Sequence, residues 1–494
     1  MSTKVEHAPD VQTPVRRSIT LAELWAFASV ALPVLAALEA SISTVDLAYH
    51  LRAGDVMLRT HHLIRTDSFS FTAAGRPWLD QQWGAQILLE LVNRVGGWVG
   101  LAFFRAALVG LIFLFVYLGC RVSGAWIKRA AWLTLAAFGI SLGGLALRPQ
   151  LFAMALFPLT AWLIAGRRAH PGRLWWIPAI VAVWANLHGS FFLGPLLLGL
   201  AYLEDRRRKD PAARRTLSIG VVSALAATVN PFGLKVWSYA VGISTNSVIT
   251  QRIQEWTPPT IRDGLGAVFF LSIGLVAVAL ARRRAAIPWT TLLSLGLFAA
   301  IGLYAIRGVF WWALIGPVIM AELFADTPPR KPDLGRPNLL NVAFVVVIVA
   351  LGVAVNPALR PTYDEGTRTP VVSDAPMKLT AALRGVVGPG ERVFNAQILG
   401  SWLEYAMPAN PITVDSRIEV FPSTVWQQYL EVSAGQEGWQ AVLDRWQVQA
   451  VIADPSQQGG LLPRIRRDTG WRQVYRDADG AVFVRTAPPP ASSG

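Results

Sequence analysis

The chain has 494 residues, 53% of them hydrophobic and only 15% charged, with 20 tryptophans and a formal net charge of +14. That balance excludes an ordinary soluble enzyme, because the apolar residues come in runs of roughly 17–22, long enough to span a bilayer. Arginine-rich loops between those runs explain the positive charge better than a nucleic-acid partner does, and the single cysteine, Cys120, excludes an internal disulfide framework.

Residues 1–19 are polar and contain proline, so a disordered cytoplasmic N-terminus is expected. The apolar run from Leu21 is long for a signal-peptide core and reads as an anchor. Membrane spans are predicted at about 21–42, 98–119, 129–147, 150–166, 174–187, 190–204, 216–230, 266–281, 287–304, 309–325 and 339–357. These make an α-helical polytopic membrane domain of about eleven helices over 20–358, with a first outer loop at 43–97. Lys and Arg orient it. With the N-terminus in the cytoplasm, the same side receives Arg16–Arg17, Arg121/Lys128/Arg129, Arg167/Arg168/Arg173, Arg206–Lys209, Arg214–Arg215, Arg282–Arg284 and Arg330/Lys331/Arg336. The opposite loops hold far fewer, so the positive-inside rule puts Thr44–Glu90 outside the cytoplasm, and an odd number of spans puts residues 360–487 there too.

In 360–487 strand-like runs (Arg392–Asn395, Ile412–Val414, Val448–Ala453, Val482–Val484) alternate with helical patterns at Ile398–Met407, Thr424–Ala434 and Trp439–Trp446. That order predicts a compact extracytoplasmic α/β domain, followed by a loose tail over 488–494.

The first outer loop is polar and aromatic between two apolar runs. Asp46 and His50 are four residues apart and share a face on a helix. After Trp83 a second helical pattern sets Ile87, Leu88, Leu91, Val92 and Val95 against Gln86, Glu90, Asn93 and Arg94, as in a helix lying along a membrane surface. Arg148, Asn186, His188, Asn230, Glu255 and Arg307 all fall at outer ends of spans, on the side of Asp46, His50 and Asp80. Each has an ordinary explanation: Asn-Pro and His-Gly make turns, arginines snorkel, and Thr44 and Asp46 precede an apolar stretch as caps do. Their convergence favours a site, since the cytoplasmic loops contain mostly Arg, Pro and Ala.

The chemistry suits an anionic lipid-linked substrate. Arg148, Arg307 and His188 would hold a phosphate, with Asn186, Asn230 and Glu255 around it. Asp46 would take a proton from an attacking hydroxyl, with His50 beside it and Asp80 or Glu90 sharing that work. A divalent metal on Asp46, His50 and a further carboxylate is conceivable, though no metal ligand set is assigned. The sequence has no P-loop, paired-cysteine, GxSxG or HExxH motif, which removes the soluble ATPase, zinc-protease and hydrolase readings.

VDLAYHLRAGD (45–55), RTDSFSFTAAGRPW (65–78), QWGAQ (82–86), RPQ (148–150), NLHG (186–189), NPFG (230–233), EW (255–256) and DSR (415–417) together resemble bacterial integral-membrane glycosyltransferases of GT-C type. Better-known members of that superfamily are the protein mannosyltransferases and the lipid A aminoarabinose transferases. The resemblance implies two juxtamembrane helices in the first outer loop and a catalytic aspartate near its start, where Asp46 stands. It also implies a polyprenyl-phosphate-linked sugar donor, a glycan, lipid or protein acceptor, and a place in the bacterial inner membrane. Two departures stand out: Gln82 precedes the loop tryptophan where relatives often carry Glu, and no W-W-D motif follows in the outer domain, which argues against oligosaccharide transfer to asparagine. A lipid or glycan flippase is the first alternative, but its polar residues belong near the bilayer midplane, and these spans are nearly charge-free there. A non-catalytic assembly or sensor protein is the second, and Gln82 is the residue that favours it.

Overall fold

The computed structural model describes residues 18–245, 254–325, 338–366 and 369–488. Most of the N-terminal segment, the loop with Arg330, Lys331 and Arg336, and nearly all of the tail lie outside them. Helices occupy every apolar segment read from the sequence. They are α1 (Leu21–Glu39), α2 (Thr44–Thr60), α3 (Trp83–Val122), α4 (Ile127–Ser141), α5 (Pro149–Ala165), α6 (Trp176–Ala185), α7 (Leu193–Arg207), α8 (Ala213–Ala226), α9 (Lys235–Thr245), α10 (Gly264–Ala281), α11 (Trp289–Tyr304), α12 (Ile306–Leu323) and α13 (Leu339–Ala354). Among the described residues four of these, α1, α3, α10 and α12, are long and apolar enough to cross a membrane, and α5, α11 and α13 are shorter apolar helices. A capping box starts α1: Thr20 Oγ accepts from the Glu23 N–H, and Glu23 Oε2 accepts from the Thr20 N–H. Helices α10 and α13 are apolar on all sides yet bury few residues, as suits contact with hydrocarbon.

The stretch 43–97, expected as the first outer loop, contains two helices, α2 and the first part of α3. The second runs on into the following apolar segment through a break at Gly97 (φ 56°, ψ −153°), a conformation that side chains with a Cβ avoid. Its sides are sorted as the pattern predicts, with the polar one turned inward: Gln86 and Glu90 are buried against α2, while Leu88, Leu91 and Val95 are exposed. The two helices cross closely, because a Cβ on Gly54 would lie 2.4 Å from the Gln86 carbonyl oxygen.

After Arg360 the chain forms α14 (Met377–Arg384), β1 (Arg392–Asn395), α15 (Gln397–Ala406), α16 (Ser423–Ser433), α17 (Trp439–Arg445), β2 (Val448–Ala453), β3 (Trp471–Arg476) and β4 (Ala481–Arg485). The sheet order is β1-β2-β4-β3. Strands β1 and β2 pair in parallel, with α15–α17 as the crossover, and the remaining pairs are antiparallel. The run Ile412–Val414, expected as a strand, is not one. Pro411 before it has no N–H to give, and Ile412 makes single bridges to Val393 on one side and Ser70 of the outer loop on the other. It joins two parts of the fold.

That joint is extensive. Ala53, Met57, Ile64, Phe69 and Trp78 of the loop share one hydrophobic core with Phe394, Val414, Trp426 and Val451 of the C-terminal segment. At its centre Arg417 is fully buried, 2.8 Å from Asp67 and 3.0 Å from Glu404, with Nε on both oxygens of Asp415 at 3.1 and 3.0 Å. Its guanidinium also lies over Trp78 at 4.6 Å and Phe69 at 4.9 Å. The C-terminal segment therefore closes over α2, the helix that carries Asp46.

Candidate active site

Where α2, the start of α5, the turn after α6 and the start of α12 meet beneath the C-terminal segment, they enclose a polar cavity of 100 Å³. Asp46, His50, Arg148, His188 and Arg307, distant in sequence, all line it. The cap of α2 is Ser43, so Asp46 sits in the first turn without capping duty and its carboxylate is free to face the cavity. Arg148 ends its loop just before Pro149 opens α5, which aims its guanidinium at the same space.

The charges form an alternating ladder. Arg148 Nη1 lies 3.3 Å from Asp46 Oδ2 and 2.5 Å from Glu255 Oε1, and Arg307 Nε lies 2.7 Å from Glu255 Oε2. Burial would raise the Glu255 carboxyl, but Arg307 and Arg148 outweigh it and hold the group below its usual range. Arg307 also covers the Trp256 ring at 5.4 Å. Arg148 Nε and Gln150 Oε1 are buried with no hydrogen-bond partner among the described residues, a donor and an acceptor left for a ligand.

Both histidines are held in their neutral form. His188 Nδ1 accepts from the Ser190 N–H at 3.2 Å and meets Ser190 Oγ at 2.8 Å. Trp184 Nε1 donates to that same oxygen, leaving the hydroxyl proton for His188 and the imidazole proton on Nε2. Burial, Arg307 and Arg148 push His188 down to about 3. His50 is likewise held well below its usual value, by burial and then by Arg148. The Gln86 amide stands between His50 Nδ1, at 3.3 Å, and Asp80 Oδ1, to which it donates at 2.9 Å.

A second, largely apolar cavity of 460 Å³ adjoins the first between α7, α9, α11 and α12. Gln82, Gln150, His188, Tyr239, Trp256 and Arg307 line both, so the cationic ladder stands where an apolar chamber meets a polar one. Gly308 makes this junction possible. A Cβ there would sit 1.9 Å from the Ile301 carbonyl oxygen, closing the tight turn that presents Arg307.

No family model matches the sequence, and no curated protein sequence matches it either. Solved structures do. The chain is similar to the Archaeoglobus fulgidus oligosaccharyltransferase in the apo form, over 94% of this chain and 75% of the other, with a TM-score of 0.51 at 12% identity. It is similar to ArnT from Cupriavidus metallidurans bound to undecaprenyl phosphate, over 93% of this chain and 97% of that one, with a TM-score of 0.53 at 14% identity. Against the same ArnT in the apo state the TM-score is 0.51 over 92% and 96% of the two chains, at 14% identity. The fold is of the GT-C type.

Within this GT-C fold some residues singled out in the sequence take other places. Asp80 does not line the cavity; it is buried behind His50, and burial pushes its carboxyl up to about 7. Glu90 is tied to Arg94 and Asn93, away from the site. Asn186 and Asn230 serve the turns: Asn186 accepts from Trp83 Nε1 and donates to Ala182 and Val229, while Asn230 donates to the Ala185 carbonyl and accepts from the Phe232 N–H. Glu255 is paired with two arginines, Arg148 and Arg307. A divalent cation does not fit this set. Asp46 and Glu255 already face guanidinium groups, and among the described residues no three His, Cys, Asp or Glu side chains gather as a metal ligand set. Residues unforeseen as site members include Gln150, Tyr239, Trp256, Ser416 and Glu419. RPQ, EW and DSR marked the neighbourhood of four of them, but nothing local pointed to Tyr239.

Proposed function

We propose that the chain is a membrane glycosyltransferase that moves a sugar from a polyprenyl-phosphate-linked donor to an acceptor hydroxyl at the outer face of a bacterial inner membrane. The observation that carries this reading is the junction of the apolar and polar cavities at Arg307 and His188. A polyprenyl chain suits the first cavity and its phosphate the second, where Arg148, Arg307 and neutral His188 converge. The known binding of undecaprenyl phosphate by ArnT, which shares the fold, is consistent with such a donor. The one-sided distribution of arginines supports a cytoplasmic N-terminus and outer positions for the first loop and the C-terminal segment.

In the reaction the acceptor oxygen bonds to the anomeric carbon while the bond from that carbon to the phosphate oxygen breaks. The electron pair leaves with polyprenyl phosphate, whose charge the guanidinium groups and imidazole N–H stabilise. Asp46 takes the hydroxyl proton. Attack opposite to the leaving phosphate inverts the anomeric centre. Asp46→Asn tests this: it should cut transfer of labelled sugar in membranes by about 10²–10⁴-fold with protein level and undecaprenyl phosphate binding retained. Retention of most activity would refute Asp46 as the base.

A further inference from the structure

The polar cavity has one carboxylate without a cationic partner. Asp46 is paired with Arg148, and Glu255 with both arginines. Glu419 enters from the opposite wall, in a short turn of the C-terminal segment, and among the described residues no guanidinium or ammonium lies within ion-pair distance of it; Arg417 and Arg307 act on it only at longer range, and its carboxyl interacts with its own backbone N–H. Its orientation is built in. Ile418 and Val420 on either side are buried, Trp426 Nε1 donates to the Ile418 carbonyl at 3.2 Å, and the Val420 N–H donates to the Arg417 carbonyl at 2.9 Å. Ser416, also on the cavity wall, donates to the Val45 carbonyl at 2.7 Å and receives from Ser401 at 3.1 Å, which fixes this wall beside Asp46.

The two walls differ in reach. Residues of the transmembrane helices and the first loop line the apolar chamber; Ser416 and Glu419 line the polar one alone. A donor seated in the chamber presents its phosphate to the arginines, leaving the Ser416–Glu419 side for the second substrate. We propose that Glu419 is the acceptor-positioning residue of this site, accepting a hydrogen bond from a hydroxyl-bearing acceptor and disfavouring an anionic one. The inference rests on the transferase reading above. A hydroxyl nucleophile must both be oriented and give up its proton, and a carboxylate opposite Asp46 orients it by accepting a charge-assisted hydrogen bond. A phosphate nucleophile is already ionised and would meet a carboxylate of like charge.

The test uses the full-length protein in washed inner membranes of a bacterium whose own copy is deleted, with radiolabelled polyprenyl-phosphate hexoses supplied in turn. Glu419→Gln should lower transfer to membrane acceptors roughly 10- to 100-fold, as expected for losing a charged hydrogen bond. Undecaprenyl phosphate affinity should stay within about twofold, and released free sugar should rise as water replaces the acceptor. Glu419→Asp, which keeps the charge, should recover part of the transfer. The transferred label should survive mild acid that cleaves glycosyl phosphates. Unchanged transfer in Glu419→Gln, parallel loss of undecaprenyl phosphate binding, or acid-labile label would each overturn the assignment. A wild-type protein that transfers no sugar would instead refute the transferase reading, and this inference with it.

Discussion

Arg417→Leu removes the cation on which the joint between the outer loop and the C-terminal segment turns. The side chain is fully buried, held by Asp67, Asp415 and Glu404 and stacked over Trp78 and Phe69. Breaking a buried ion pair by removing one partner costs about 3–5 kcal/mol, and a desolvated cation–π contact adds about 2 kcal/mol. Domains hold only about 5–15 kcal/mol in all, so the C-terminal segment of Arg417→Leu should become accessible to protease. Glu404→Gln should behave otherwise. Burial, and then the neighbouring Asp415, hold the Glu404 carboxyl well above its usual value, so the folded protein keeps a proton that the unfolded chain releases above pH 4.5. Stability therefore falls as pH rises from there, by about 1.4 kcal/mol per unit until the folded carboxyl ionises. Glutamine mimics the protonated group, so Glu404→Gln should be as stable as the wild type at low pH and lose less as pH rises. Pulse proteolysis of detergent-purified protein across pH reads both effects. A Glu404→Gln protein that is destabilised at low pH and keeps the wild-type slope would refute a protonated Glu404.

Arg307→Lys keeps the charge but loses the planar fork that holds Glu255 and stacks on Trp256, so undecaprenyl phosphate should bind roughly tenfold more weakly by titration in nanodiscs. Asp80 retains its proton up to about pH 7 against an ordinary 3.8, so its burial lowers stability as pH rises between those values. Asp80→Asn should remove that loss and also an inflection near 7 in the pH–rate profile, if Gln86 relays the charge to His50. Gly308→Ala forces the α11–α12 turn apart and should lower both thermal stability and donor binding, the first by about 1–3 kcal/mol.

Much of the helical architecture was legible because hydropathy and helix period are local properties. Asp46 and His50, one helical turn apart, were readable as neighbours, and the polar ends of apolar segments could be collected by their shared side. Longer-range placements were not. Asp80 looked like a reacting acid because nothing in its own stretch reveals that Gln86 separates it from the cavity. Asn186 and Asn230 were placed at the site by their position at helix ends, yet those ends need their amides for the turns themselves. Strand β3 went unread because Arg472, Gln473 and Arg476 break its apolar alternation; as an edge strand it faces solvent, where charge discourages pairing with other chains.

The DSR motif shows how one short stretch can be both joint and wall. Asp415 and Arg417 turn into the buried ion cluster, while Ser416 and Glu419 turn into the cavity. The cluster cannot form unless the C-terminal segment is seated on Asp67 and the aromatic residues of the first loop. Once it forms, Ser416 is already against Val45, one residue before Asp46. Seating the segment and completing the cavity are therefore the same event. A polar, charge-lined chamber assembled this way has a wall that the apolar helices alone do not supply, so on the proposed reading the acceptor is to be sought along the C-terminal segment and the donor along the helices.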